Sequence, residues 1–487
     1  MLRKKILLAA LLIIILLLSG AVLFFKSGRF KTGKMEAYLK QTRENRPNIV
    51  LITLDTLRQD RLGCYGSKST RTPNLDTLFR DGIGFSNANT CAPITLASHT
   101  SILTGLYPTF HGVRDNGLYV LRENVPTITG ALKAGGYRTG AFVSAYVLEK
   151  KFGLGRHFDV YDDDFSKSIL KGIEWDVPSN LYPGAHNGYE RRADEVTKAA
   201  LEWLEKNKDQ KFFLWVHYFD PHSPYYEYNG DLSSVTGKAP TSQKEGSFSL
   251  EETSRAIKLY DAEVSLMDVW VGNLLRKIEQ WGLTGSTLII AVADHGEGLG
   301  EHDYYFEHGG KLYETLLRVP LIVRLPYDGP GGVVIDNLVR TIDIAPTVYD
   351  LLGVQPAIKL HGKSLVPLAF GVDSAAPPDS YAETLLPPRV GGNELRSLKT
   401  EQYKLIYAPA RNGYDLYDLL ADPAEMNNLV ETEKKDKDLF AGKYKPLQMD
   451  LKKRLDTVIN TTASGIPLIP ENLDEEAKKA LKSLGYM

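Results

Sequence analysis

Two aspartates, an imidazole and a threonine stand at the edges of apolar runs that lie far apart in this chain. Asp55 closes Asn48-Ile49-Val50-Leu51-Ile52-Thr53-Leu54, and Asp294-His295-Gly296-Glu297 follows the run from Ser286 to Ala293. Asp220 and His222 follow Phe212–Phe219, and Thr95 opens a helical stretch that stops before Gly105. Singly, an aspartate starts a turn and a threonine caps a helix. Three strand ends and one helix start together describe a site. Two carboxylates, a neutral imidazole and a hydroxyl form a hard-leaning donor set suited to manganese, zinc or calcium. A divalent ion touching the Thr95 hydroxyl would lower its pKa and make it a nucleophile, while the helix start favours an anionic substrate.

The elements that must hold these groups follow from periodicity. The runs at 48–54, 212–219 and 286–293 are short and almost continuously apolar, as in strands buried on both faces. Strands at 136–145 and 318–324 join them, with helices predicted at 72–79, 95–104, 126–134, 190–208 and 251–281. Thr95 is expected at the N-cap of its helix and Gly105 at the residue after its end. Alternation of strand and helix across 47–370 predicts an α/β domain, a mostly parallel sheet flanked by helices, with ligands at the carboxyl ends of its strands. Residues 371–487 differ in texture: 403–407 and 414–419 read as antiparallel strands, followed by a charged helix over 425–457 and a closing helix. They predict a smaller antiparallel β plus helix subdomain.

The formal net charge of −2 and the lack of a compact basic run in the body exclude nucleic acid as the main partner. Two cysteines, Cys64 and Cys91, make no disulfide framework and no paired metal spacing. Residues 6–25 form an apolar run long enough to cross a bilayer, preceded by Arg3, Lys4 and Lys5. Residues 1–34 are therefore read as an N-terminal anchor and stalk, the polar basic texture continuing to 46. This predicts a single-pass membrane protein with its catalytic domain on the extracytoplasmic side.

The order and spacing of several motifs resemble the sulfatase family of the alkaline phosphatase superfamily across roughly 47–425. They include Asn48–Asp55, Leu62-Gly63-Cys64-Tyr65-Gly66, Thr72-Pro73-Asn74-Leu75-Asp76, Leu103-Thr104-Gly105-Leu106-Tyr107-Pro108 and His111-Gly112-Val113. Asp294-His295-Gly296-Glu297, Leu312-Tyr313-Glu314 and Arg318-Val319-Pro320-Leu321-Ile322 complete the set. The family nucleophile lies ten residues before the Thr-Gly glycine; Thr95 has that spacing to Gly105, whereas Cys91 lies fourteen before it. Thr95 thus takes the place of the residue that sulfatases oxidise to formylglycine, and His99 the place of their arginine. Threonine cannot become formylglycine, so none is expected. Thr56 replaces a second metal-binding aspartate, and Val143-Ser144-Ala145-Tyr146 replaces the family's Gly-Lys-x-His.

The resemblance implies that Asp55, Asp294, His295 and Thr95 hold one divalent metal and that Thr95 attacks an anionic ester. It implies His222 as proton donor to the leaving oxygen and His99 as orienter of Thr95. Lys311 joins the catalytic set, with Asn116, His302 and His308 contacting substrate. A second metal at Asp220, His222 and His308 is an open alternative. The reading is a membrane-anchored, metal-dependent hydrolase of sulfate or phosphate esters, phosphodiester or phosphonate types favoured by Thr95. The alternatives are a phosphoryl-group transferase acting on envelope lipid or glycan, and a catalytically silent binding protein.

Overall fold

The computed structural model describes residues 31–165, 190–223, 225–229, 231–238, 248–372, 378–386, 392–435 and 442–463. A helix over 31–45 (α1) leads to β1 (Asn48–Leu54), α2 (Pro73–Asp81), β2 (Ile83–Asn89), α3 (Thr95–Thr104), α4 (Ile128–Ala134), β3 (Arg138–Phe142) and β4 (Val160–Asp162). Then come α5 (Ala193–Asn207), β5 (Phe212–Tyr218), the hairpin β6 (Tyr226–Asn229) and β7 (Asp231–Lys238), α6 (Leu250–Gln280) and β8 (Thr287–Ala293). The domain continues with β9 (Arg318–Arg324), β10 (Val333–Ile335), β11 (Val339–Arg340) and α7 (Ile344–Leu352).

Among the described residues the main sheet runs β10-β2-β9-β8-β1-β5-β3-β4, with β11 also on β2. It is mostly parallel; β9 alone runs against its two neighbours, β2 and β8. Every residue of β1, β5 and β8 is buried, which the unbroken apolar runs require of strands with helices on both sides. Register then builds the site. Leu54 pairs with Ala293 on one side and Tyr218 on the other, so Asp55 and Asp294 leave adjacent strands at the same level.

The second sheet is antiparallel, β12 (Ser380–Thr384), β13 (Leu395–Lys399), β14 (Tyr403–Ala408) and β15 (Gly413–Asp418), with α8 (Leu429–Lys435) and α9 (Lys445–Thr462) beside it. The single charged helix expected over 425–457 is thus two helices in the described residues. The sheet's first two strands are legible only weakly in sequence, since Ser380–Thr384 and Leu395–Lys399 mix charge and polarity with few β-branched residues. The closing helix expected near the C-terminus lies outside the described residues.

Two expectations about the N-terminal region are corrected. Residues 31–45, read as stalk, form a helix docked on the body: Thr42 is fully buried, Tyr38 donates to the Pro326 carbonyl at 3.2 Å, and Arg43 pairs with Asp350 at 2.8 Å. Among the described residues no helix is long and apolar enough to cross a membrane. That finding overturns the membrane anchor, the membrane as partner and the single-pass extracytoplasmic placement. Residues 6–25, on which they rested, lie outside the described residues. The transferase alternative drew its motive from that span and falls with it.

Candidate metal centre and active site

Each acid of the site has one oxygen fastened and the other left over. Asp55 Oδ2 lies 3.2 Å from His217 Nε2. Asp294 Oδ1 accepts from the Thr56 and His295 amides at 3.2 and 2.8 Å. Asp55 Oδ1 and Asp294 Oδ2 are buried without a hydrogen-bond partner. His295 Nδ1 donates to the Gly296 carbonyl at 3.0 Å, which places the ring proton there and leaves Nε2 as a lone pair. That Nε2 is 3.4 Å from Asp294 Oδ2 and 3.9 Å from Asp55 Oδ1.

Asp55, Asp294 and His295 each offer one ligand atom within 4.8 Å of the others, all buried. Two ionised carboxylates at such a distance repel by about 3 kcal/mol at an effective dielectric near 20. Burial, reinforced by Glu297, pushes the Asp55 carboxyl up to about 7. Asp294 is raised by burial and by Asp55. Burial would lower the His295 imidazole, but Asp294 and Asp55 outweigh it and raise it. These groups call for positive charge between them. The trio is a divalent-metal site, and the orphaned oxygens and the Nε2 lone pair fit the ion.

Thr95 meets this trio from the start of α3. It is the first helical residue rather than the N-cap expected from sequence; Ile94 precedes it in extended conformation without a capping side chain. Asn116 Oδ1 takes over that duty by accepting from the Leu96 amide at 2.8 Å. The Thr95 hydroxyl is therefore not spent on its own helix and lies 3.4 Å from His295 Nε2. Gly105 ends the helix at φ 70°, the left-handed conformation glycine adopts without strain. His99, one turn on, sits 2.8 Å from the Thr95 carbonyl, so it fixes the backbone of Thr95. Burial pushes its imidazole down to about 3, which keeps it neutral beside Asp294.

A second group of imidazoles adjoins the first. The His308 ring is 4.5 Å from His295 and 4.8 Å from His222, and His222 stacks on Phe219 at 4.2 Å. Burial pushes both His222 and His308 well below the usual histidine range. Asp220 does not join them: its Oδ2 accepts from the Ala193 amide at 2.9 Å, at the start of α5. His302 lies apart, stacked on Tyr313 at 3.7 Å, and Lys311 is exposed with its charge near Asp415.

Sequence reasoning missed His217 and the part played by Glu297. His217 is the one imidazole in a fully buried strand of apolar and aromatic residues, and that oddity was the available signal. Glu297 Oε1 is 3.2 Å from His308 Nδ1, and Oε2 accepts from Tyr225 at 3.4 Å. Cys91 is buried and Cys64 half-buried, both as free thiols.

This fold and site define a class, the metal-dependent hydrolases of the alkaline phosphatase superfamily. The sulfatase family model matches residues 47–354, and a model of the C-terminal part of N-sulphoglucosamine sulphohydrolase matches 300–461. The chain belongs to the sulfatase family and carries the equipment of a metal-dependent sulfuric or phosphoric ester hydrolase, which removes the catalytically silent alternative. It is similar to an ulvan-active sulfatase of Formosa agariphila, 27% identical over 82% of this chain and 80% of that one. An arylsulfatase of Clostridium perfringens is 26% identical over 80% of this chain and 91% of its own. The phosphonate monoester hydrolase of Agrobacterium radiobacter superposes with a TM-score of 0.67 at 22% identity, covering 88% of this chain and all (100%) of that one.

Proposed function

We propose that this protein cleaves phosphate-type esters, phosphodiesters or phosphonate monoesters above all, with Thr95 as nucleophile. The observation that carries the reading is the Thr95 hydroxyl beside His295 Nε2, at the lip of the Asp55–Asp294–His295 trio. Asp55, Asp294 and His295 would hold a divalent ion, which would supply Lewis-acid screening of the ester's negative oxygens and ease loss of the Thr95 hydroxyl proton. Thr95 Oγ1 attacks phosphorus, its proton passing to solvent or an imidazole. The bond to the leaving oxygen breaks, and that oxygen takes up a proton that His222 has first accepted on Nε2, its Nδ1 proton being held by the Ser223 carbonyl. Water then cleaves the threonyl ester and restores the hydroxyl.

The curated relatives named above are sulfatases, and sulfate esters are the second reading. Phosphorus is favoured because a secondary alcohol at position 95 cannot give the aldehyde hydrate that sulfatases use. Asn116, His308, His302 and Lys311 remain candidates for substrate contact, Asn116 and His308 by their place beside Thr95 and His295.

The test is a panel of nitrophenyl phosphate, phosphodiester, phosphonate and sulfate esters with manganese, zinc or calcium added. Thr95→Ala is expected to lose at least about 10³-fold in kcat while metal still binds, and Thr95→Ser to keep part of it. A trapped intermediate should carry its added mass on Thr95. Turnover undiminished in Thr95→Ala removes the nucleophile assignment.

A further inference from the structure

Every residue of α3 is buried, so no division between a wet and a dry face fixes how the helix is turned about its axis. Polar contacts must do that. Thr95 and Ser98 are three positions apart, which puts them on one side of a helix, and both meet the two residues that follow β8. Ser98 Oγ donates to the Asp294 carbonyl at 2.8 Å, while the Thr95 hydroxyl lies 3.4 Å from His295 Nε2. The helix thus touches the end of β8 at two neighbouring points, one on the backbone of an acid of the trio and one at the trio's lip.

Ser98 is itself held. Its hydroxyl has one proton, spent on the Asp294 carbonyl, so Thr90 Oγ1, at 2.9 Å, is the donor in the bond between the two hydroxyls. Thr90 follows β2, and its amide donates to the Leu317 carbonyl at 2.9 Å. Thr90, Ser98 and Asp294 are all fully buried. A rotation or slip of α3 would therefore strand a buried carbonyl and a buried hydroxyl, which is costly. The tolerance is narrow: a turn of about 15° moves a side-chain oxygen about 5 Å from the helix axis by about 1.3 Å. A displacement of about 1 Å is enough to cost about 100-fold in rate.

We infer that Ser98 is a positioning residue of this site: by gripping the Asp294 carbonyl it sets the rotation of α3 and so holds the Thr95 hydroxyl against the trio, with Thr90 as its support. Its effect on rate rests on the hydrolase reading above, whereas the placement of Thr95 can be measured without turnover.

The experiment uses the whole chain with ¹³C-methyl-labelled threonine, loaded with cobalt(II) or, as diamagnetic reference, with zinc. The difference in methyl shift between the two forms depends on where each threonine stands relative to the ion. Thr95→Ser and Thr53→Ser assign the two signals that matter. Thr53, buried in β1 and accepting from the Trp215 indole at 2.9 Å, reports the position of the ion itself. Ser98→Ala is expected to change the cobalt-induced shift of Thr95 and to leave that of Thr53 as in wild type. On the ester that wild type cleaves best, at saturating metal, Ser98→Ala should lower kcat about 10- to 100-fold with KM within about twofold. Thr90→Val, which removes only the support, should show both effects at smaller size, and Thr90→Ser neither. An unchanged Thr95 shift in Ser98→Ala overturns this role. So does a common movement of the Thr95 and Thr53 shifts, which marks a displaced ion, or a wild-type kcat in Ser98→Ala. If Ser98→Ala does not fold, the Thr90 pair decides by the same readings. If no ester is turned over, the hydrolase reading fails while the cobalt shifts still decide the role of Ser98.

Discussion

His217 Nε2 stands 3.2 Å from Asp55 Oδ2, and the Ser144 amide donates to the other ring nitrogen at 3.2 Å. The second bond fixes the tautomer: Nδ1 accepts, so Nε2 carries the proton and donates it to the aspartate. Asp55 is thereby turned so that Oδ1 faces the trio. An imidazole behind a metal-binding carboxylate sets its direction and basicity without touching the ion.

Loss of that support should appear as loss of metal affinity. His217→Ala is expected to weaken divalent-ion binding by about 10- to 100-fold, measured by competition with a chelating dye. Secondary structure by circular dichroism should be unchanged. Wild-type affinity in this variant would mean that Asp55 needs no partner.

A different buried histidine makes stability depend on pH. His111 accepts from the Val113 amide on Nδ1 at 3.1 Å and meets Ser101 Oγ with Nε2 at 2.8 Å. Both bonds use the neutral ring, and burial pushes its pKa down to about 3. The folded value lies below the unfolded one near 6.5. This contribution is therefore whole above about pH 6.5 and is lost as pH falls toward 3, by up to about 1.4 kcal/mol per pH unit. Urea unfolding between pH 4.5 and 7 should show a shallower slope in His111→Gln by about that amount. Parallel profiles would refute it.

The junction of the two sheets hangs on a buried charge cluster. Lys404, fully buried, pairs with Glu425 at 2.7 Å and Glu314 at 3.2 Å, and Glu314 also meets Lys399 at 2.6 Å. Removing one partner leaves an uncompensated buried charge. Lys404→Met is expected to cost about 3–5 kcal/mol in urea unfolding, and Lys404→Met with Glu425→Gln to recover part of it. A single variant within about 0.5 kcal/mol of wild type would show that the cluster is stabilised otherwise.

The main domain was legible because its strands are buried on both faces and so spell out unbroken apolar runs. Asp55, Asp294 and His295 could be read from their place at the ends of those runs, and Thr95 from its spacing to Gly105. The capping role of Asn116 and the hold of His217 on Asp55 could not, since both depend on how separate loops meet above the sheet. Asp220 misled for the same reason: its position at a strand end suited a metal, but its carboxylate serves the start of a helix. The polar texture of 31–45 concealed a docked helix, because only one narrow side of it, through Tyr38 and Thr42, is buried.

The strand Ser380–Thr384 grips the catalytic domain at several points. The Glu383 amide donates to the Cys91 carbonyl at 3.0 Å, the Glu383 carboxylate takes a forked pair of bonds from Arg114 at 2.6 Å, and Thr384 donates to the Gly309 carbonyl at 2.5 Å. Those three anchor points are the approaches to Thr95, Asn116 and His308. Two neighbouring residues of the smaller module, Glu383 and Thr384, thus hold the rim of the larger one. The catalytic mouth is a joint possession of both halves of the chain.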